Sequence, residues 1–384
     1  MTAADSAWAA VPDRPVLESV HHISAADYTR VVITLSAAAS HRLFTVPADP
    51  AHNLPGRIVI DFSPARRGPQ APLSLPIQDG LLKQVRTGQF SATTVRIVLD
   101  VEQIDDYKTF ALESPYRLII DVKGKVQRQP QPSQPLSKPL SEPPPEQFTT
   151  PRYRIMLDPG HGGKDPGALG EKGVAEKDVV LAISQRLGRK LAEREQVDVL
   201  FTRTTDVFVP LEERIARANA AKADLFVSIH ANASNNSGLQ GIETYYLNNT
   251  DDRATIRLAS LENGLRPEGH NPENGGAGLS FLLSDLIQSG KEEESIALAH
   301  HLQEAVVIRA RQRYPAIHSL GVKKGPFYVL VGAHMPCVLV ETAFITHPVE
   351  GKYLSSSEYQ DALAEGLFLG IARFLRTGFM AKNL

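Results

Sequence analysis

The stretch Leu157-Asp158-Pro159-Gly160-His161-Gly162-Gly163-Lys164-Asp165-Pro166-Gly167-Ala168-Leu169-Gly170 decides how the C-terminal half of the chain is read. Its upstream neighbour, Arg154-Ile155-Met156-Leu157-Asp158, has the apolar character of a strand. That strand runs into a loop with five glycines, and His161 stands in the loop. In α/β sheets, sites form at the carboxyl ends of strands. Glycines there let the backbone crowd close to whatever the histidine holds.

Outward from this block the pattern alternates. Between Glu176 and Gln196, apolar residues at Val180, Ile183, Leu187 and Leu191 recur at helical spacing. Val197–Phe201, Leu225–Ile229, Gly241–Leu247 and Cys337–Glu341 read as strands, Leu211–Lys222 and Ser356–Thr377 as helices. Such alternation predicts an α/β fold, a mixed sheet flanked by helices.

Upstream, Lys125–Thr150 is rich in Pro, Gln and Ser and poor in apolar residues. A stretch of this kind buries too little surface to fold, and its prolines favour an extended form, so it reads as a linker. Before it, four runs share one shape: Arg30-Val-Val-Ile-Thr-Leu, Arg57-Ile-Val-Ile-Asp-Phe, Arg96-Ile-Val-Leu-Asp-Val and Arg117-Leu-Ile-Ile-Asp-Val. Runs this apolar need cover on both faces, which predicts a small all-β sandwich. A chain of 384 residues suits two domains and a linker. The expected limits are 15–124 for the sandwich, 125–151 for the linker and 152–380 for the α/β domain.

Composition excludes several classes. The net charge of −2 offers no polyanion-binding balance, so nucleic acid is not an expected partner. A single cysteine, Cys337, rules out an internal disulfide framework and a CxxC-type zinc site; its apolar surroundings read as a buried strand. No stretch approaches the roughly 20 apolar residues needed to cross a bilayer. The first residues, MTAADSAWAAVPDRP, lack a basic n-region and an apolar h-region. A cytosolic protein and one whose export signal has been removed both fit.

The chemistry-bearing residues are few. A second strand-end histidine, His230, lies in Val227-Ser-Ile-His230-Ala-Asn-Ala, and Glu176 opens the first helix. Three protein ligands plus water is the pattern of catalytic zinc. Taken singly, each residue could instead cap a helix or bond to backbone, and HExxH is absent. Glu341 closes the apolar strand Val338-Leu-Val-Glu341. A carboxylate there is costly to bury without purpose. It could serve an ion pair or, near zinc, pass a proton from water to a leaving amine. His21, His22, His41 and His52 are scattered, with no convergent cluster.

From about Tyr153 to its end the chain resembles the zinc-dependent N-acetylmuramoyl-L-alanine amidases of the amidase-3 type. The matching pieces are LDPGHGGKDPGA, EKDVVLAIS, FTRTTDVFVPLEERIARAN, ADLFVSIHANA, GIETYYL and MPCVLVETAFITHPVE, in family order. The resemblance implies one zinc ion held by His161, Glu176 and His230, with Glu341 as the catalytic glutamate. The implied reaction cuts the amide between the lactyl group of N-acetylmuramic acid and L-alanine of the peptidoglycan stem peptide. The runs RVVITL, RIVIDF, RIVLDV and SPYRLIIDV resemble the AMIN domain of division-associated amidases, which targets the enzyme to the cell envelope; a spacer role is the alternative. A monomer in the periplasm at the division site, acting in daughter-cell separation, is what this implies.

The insertion from about Asn248 to Ser295 exceeds the usual loop length. Division-type amidases of the family carry a regulatory helix here, and Arg257-Leu-Ala-Ser-Leu-Glu262-Asn-Gly resembles it. By that resemblance Glu262 blocks the zinc's open position until an activator with a LytM-type domain withdraws it. Leu279–Ile287 is too apolar for a solvated loop and reads as the activator-binding face. The alternative makes Glu262 a surface residue and packs 281–287 on the domain. His270, His300, His301, His318, His334 and His347 receive no role, and His347 stands where a small polar residue is expected. Two competing functions are a non-catalytic peptidoglycan-binding division-site protein and another metallohydrolase such as a carboxypeptidase.

Overall fold

In the structure, a computed structural model, residues 14–25, 28–52, 54–112, 116–124, 152–194, 196–236, 238–264 and 291–382 are described. The segment read as a linker, the apolar run Leu279–Ile287 and His270 lie outside them. The chain forms two units that divide between residues 129 and 130.

The four similar runs of the first unit become strands that pair by their own charge pattern. The strands are β1 (Val16–Ala25), β2 (Tyr28–Leu35), β3 (His41–Val46), β4 (Gly56–Phe62), β5 (Arg66–Arg67), β6 (Ser74–Pro76), β7 (Leu82–Ser91), β8 (Thr94–Val101), β9 (Asp106–Leu112) and β10 (Tyr116–Lys123). They form two sheets, β5-β1-β2-β10-β9 and β3-β4-β8-β7-β6. Arg and Asp four residues apart share one strand face. Antiparallel pairing then sets Asp121 opposite Arg30 and Asp61 opposite Arg96. The Arg30–Asp121 contact is 2.6 Å and buried, and Arg96 grips Asp61 with two hydrogen bonds of 2.7 Å. The alternate residues, among them Val31, Ile33, Ile58, Ile60, Ile97 and Ile120, fill one core shared by both sheets. This is the expected sandwich.

The second unit contains β11 (Tyr153–Pro159), α1 (Glu176–Ala192), β12 (Val197–Phe201), α2 (Leu211–Ala220), β13 (Leu225–Asn232), β14 (Ile242–Leu247) and α3 (Arg253–Glu262). Then come α4 (Glu292–Arg311), β15 (Ser319–Gly325), β16 (Cys337–Phe344), α5 (Glu350–Leu354) and α6 (Ser357–Lys382). Its sheet has the order β12-β11-β13-β16-β14-β15. The first four strands run parallel; β14 pairs antiparallel with β16 and parallel with β15. The sheet is mixed and flanked by helices, as the sequence predicts.

The two-residue period of the strands sorts their side chains. Ile155, Leu157, Val227, Ile229, Val338 and Val340 join α1, α4 and α6 in one core. Met156, Phe226, Cys337 and Leu339 face the opposite core, with Ile215 of α2 and Leu258 and Ala259 of α3. By the same alternation Asp158, Ser228, His230 and Glu341 belong to this second face. The site therefore gathers where the parallel strands end.

One close helix contact supports the first core. A Cβ added at Gly366 of α6 would stand 2.6 Å from the Val306 Cα, and one at Gly370 would stand 2.8 Å from the Leu302 Cα. The backbones of α4 and α6 therefore meet through glycine. Gly366→Val is expected to cost about 1–3 kcal/mol by overpacking, read as a lower thermal midpoint. An unchanged midpoint would show that the two helices separate freely.

Candidate metal centre

Each candidate ligand is delivered by a different element. His161 follows β11, His230 ends the parallel run of β13, and Glu176 is the first residue of α1. A carboxylate at a helix N-terminus is favoured by the helix dipole. Glu176 also closes the glycine loop on itself: its amide donates to the Ala168 carbonyl at 2.9 Å, and the Ala168 amide donates to its Oε2 at 2.9 Å. The Ala231 amide donates to its Oε1 at 2.9 Å. Two glycines make the approach possible. A Cβ on Gly160 would lie 2.4 Å from the His230 ring, and one on Gly167, at φ +66°, would lie 2.6 Å from Glu176 Oε2.

The four side chains His161, Glu176, His230 and Glu262 come together, with one ligand atom of each within 4.8 Å of the others. His161 Nε2 is 3.2 Å from Glu176 Oε2 and 3.2 Å from Glu262 Oε2. His230 Nδ1 is 3.1 Å from Glu176 Oε1 and 2.9 Å from Glu262 Oε2. Tetrahedral ligands about 2.0–2.1 Å from a zinc ion stand roughly 3.3 Å apart, so the cluster has the right dimensions. Moreover, His161 Nε2 and Glu262 Oε2 are buried and make no hydrogen bond of acceptable geometry. Buried polar atoms normally find partners; donors that share an ion are the exception. The residues fit zinc.

Asp165 supports the His161 ring from behind, with its Oδ2 2.9 Å from His161 Nδ1. Such outer carboxylates orient metal-bound imidazoles and fix their tautomer. Glu341 is opposite His230 across the β13–β16 pair and is fully buried. Both its oxygens lack hydrogen-bond partners. On its other side, β14 places Glu243 opposite it, and Glu243 is tied to Asn232 at 2.7 Å and Lys323 at 2.6 Å.

Charge balance shifts the titrations. Burial alone would lower the His230 imidazole, but the carboxylates of Glu262 and Glu176 override it and hold it up at about 10. His161 is raised well above its usual range by Glu176 and Glu262 against the same burial. Burial opposes the charge on Glu176 and Glu262, yet the two histidines keep both below the ordinary carboxylate range. For Glu341 the pull of His230 is outweighed. Burial, reinforced by the Glu262 charge, pushes it well above that range.

The family model for N-acetylmuramoyl-L-alanine amidase matches residues 155–373. The chain belongs to this family. The AMIN domain model matches residues 19–109. An N-acetylmuramoyl-L-alanine amidase, AmiC, of Neisseria meningitidis is 32% identical over 382 residues, covering 93% of this chain and 89% of the relative. The AmiC amidase of Escherichia coli O6:H1 is 30% identical over 387 residues, covering 92% and 88%. Among solved structures, AmiC2 of Nostoc punctiforme shares 33% identity, covers 58% of this chain and 97% of its own, and gives a TM-score of 0.43. The AmiC relatives align with both units of this amidase, which is an enzyme of the division-associated type.

Among the described residues, the other histidines stand apart from the cluster. His347 Nδ1 accepts from the amides of Val349 and Glu350 and so caps the turn into α5. The imidazole does there what a small polar residue does at a helix start. Cys337 is buried, which pushes its thiol up to about 12. Sequence reasoning missed Asp165, Glu243 and β15. Asp165 had a signal, since it lies four residues past His161 in a tight glycine loop. Glu243 could have been found from the two-residue period of Glu243-Thr-Tyr245 on β14. β15 reads Ser-Leu-Gly-Val-Lys-Lys-Gly and has no apolar run to announce an edge strand.

A proton on the raised imidazole must leave before a metal binds, because only neutral imidazole coordinates. Zinc binding at neutral pH is expected to release about one proton or more, read as a binding heat that depends on the buffer's ionisation enthalpy. A heat independent of the buffer would contradict this site.

Proposed function

We propose that the chain is a zinc-dependent N-acetylmuramoyl-L-alanine amidase that strips stem peptides from peptidoglycan during daughter-cell separation and rests with Glu262 on its zinc. One observation carries the reading: His161, Glu176 and His230 converge beside Glu341, a fully buried carboxyl with no hydrogen-bond partner among the described residues. That arrangement costs stability unless it serves chemistry. It also weighs against a purely non-catalytic binding protein.

His161, Glu176 and His230 would hold the ion. Zinc, when bound, acts as a Lewis acid and lowers the pKa of water to near neutrality. Glu341 takes a proton from the attacking water and delivers it to the amide nitrogen. The C–N bond breaks, a C–O bond forms, and the products are the lactyl carboxylate and the free amine of L-alanine. Glu341→Gln keeps the shape and removes the base. It is expected to lower turnover by about 10²–10⁴-fold, with zinc still bound by elemental analysis. Near wild-type turnover would overturn the role of Glu341.

Glu262 supports the autoinhibited resting state. It is the last residue of α3, and its carboxylate stands at the fourth position of the cluster, where the attacking water belongs. The helix is anchored at both ends. Asp252 caps its start, its Oδ2 accepting from the Thr255 amide at 2.9 Å. At its end Asn263 donates to the Pro326 carbonyl at 3.0 Å and accepts from the Tyr328 amide at 2.8 Å. An activator with a LytM-type domain, engaging Leu279–Ile287, is the proposed means of withdrawal. The remaining proposals are domain limits of 15–124, 125–151 and 152–380, a monomeric state and a periplasmic, division-site location. Among the described residues no helix is long and apolar enough to cross a membrane.

Basal activity on purified sacculi tests the latch. Glu262→Ala is expected to raise it. Asn263→Ala removes two hydrogen bonds, each worth about 1 kcal/mol, and is expected to raise it by up to about thirtyfold while Glu262 is intact. If neither variant rises above wild type, the latch is wrong.

A further inference from the structure

We propose that Arg203 is a positioning residue that fixes the separation of His161 and Glu176, with Arg214 holding the same loop from a second side. The inference rests on the zinc reading above. Arg203 follows β12 and is only 3% exposed. A buried guanidinium usually meets a carboxylate, yet among the described residues this one hydrogen-bonds to backbone carbonyls alone. Its Nε donates to Pro159 O at 3.0 Å and its Nη1 to Thr205 O at 3.1 Å. Its Nη2 donates to Gly160 O at 2.7 Å and to Lys177 O at 2.8 Å. Gly160 is the residue before His161, and Lys177 is the residue after Glu176. One nitrogen therefore bridges the neighbours of two ligands.

Arg214 of α2 completes the grip. Its Nε donates to Val209 O at 3.0 Å, its Nη1 to Asp158 Oδ1 and Pro159 O at 2.8 Å each, and its Nη2 to His161 O at 2.8 Å. The carbonyls of Pro159, Gly160 and His161 are thus all taken by two guanidinium groups. Asp158 in turn accepts from Thr202 Oγ1 at 2.6 Å and Ser228 Oγ at 2.7 Å. His161 itself has φ +57°, in the left-handed region that side chains other than glycine avoid. A residue held there needs its surroundings to over-determine it. Two rigid forks on three consecutive carbonyls do so, and lysine's single ammonium cannot reproduce that geometry.

The test uses the full chain, stripped of metal and titrated with zinc against a competing chelator. Arg203→Lys is expected to weaken zinc binding by about 10–100-fold, with the thermal midpoint of the metal-free protein kept. In a His161→Ala background the same substitution should change zinc affinity by less than about twofold, because the ligand it positions is gone. A merely structural role would weaken binding equally in both backgrounds. That result, or a folded Arg203→Lys protein with wild-type affinity, would overturn the proposal. Should Arg203→Lys not fold, Arg214→Lys enters the same cycle. If neither folds, the arginines hold the domain rather than the ligands, and the proposal fails. Wild-type protein that binds no zinc would sink the zinc reading instead.

Discussion

Three carboxylates, Glu176, Glu262 and Glu341, are set beside two imidazoles, His161 and His230, at the end of the second unit's sheet. Negative groups in excess inside a protein demand a counter-charge, because isolated buried ions are far too costly. The titrations follow from that demand. Both histidines are held up, Glu176 and Glu262 are held down, and Glu341, left over, is driven towards its neutral form. A dication satisfies the same demand more completely than protons do, and it needs the ligand spacing already present. The metal reading is therefore a statement about charge as much as about distances.

The fold meets this demand by periodicity. Alternation along β11, β13 and β16 sends aliphatic residues to one core and Asp158, Ser228, His230 and Glu341 to the other face. Glu176 comes from α1, which packs on the first face, and reaches the cluster from the helix start. The loop between β11 and α1 must then pass between ligands from both layers. Gly160 and Gly167 leave that passage open, because any side chain would strike the His230 ring or the Glu176 carboxylate. Sandwich strands of the first unit use the same periodicity for a different end. There the charged pairs on the faces turned from the shared core are complementary, Arg30 with Asp121, itself buried, and Arg96 with Asp61.

How much of this could be read from residues alone varied with the range of the interaction. Apolar runs and helical spacing are local, so the alternating elements, the sandwich and the strand-end positions of His161 and His230 were legible. The pairing of β2 with β10 and of β4 with β8 was not, although the Arg and Asp spacing that sets it is visible once the partner strand is known. The meeting of Glu176 with His230 spans 54 residues and depends on a helix passing over the sheet, so only the family resemblance suggested it. Arg203 was invisible for a further reason. Its partners are carbonyls, and a backbone carbonyl carries no residue identity for a pattern to catch.

Glu262 stands in two relations at once, and this joins the proposed latch to the chemistry. Its Oε2 is shared with both imidazoles, which lowers its own pKa and favours the closed arrangement. Its charge also adds to burial in pushing the Glu341 carboxyl above its usual range. A neutral side chain at position 262 would fill the space without the second effect. In the proposed latch, a carboxylate there would take the position of the attacking water and disfavour the charged form of Glu341. The anchors at Asp252 and Asn263 hold the helix that carries this charge.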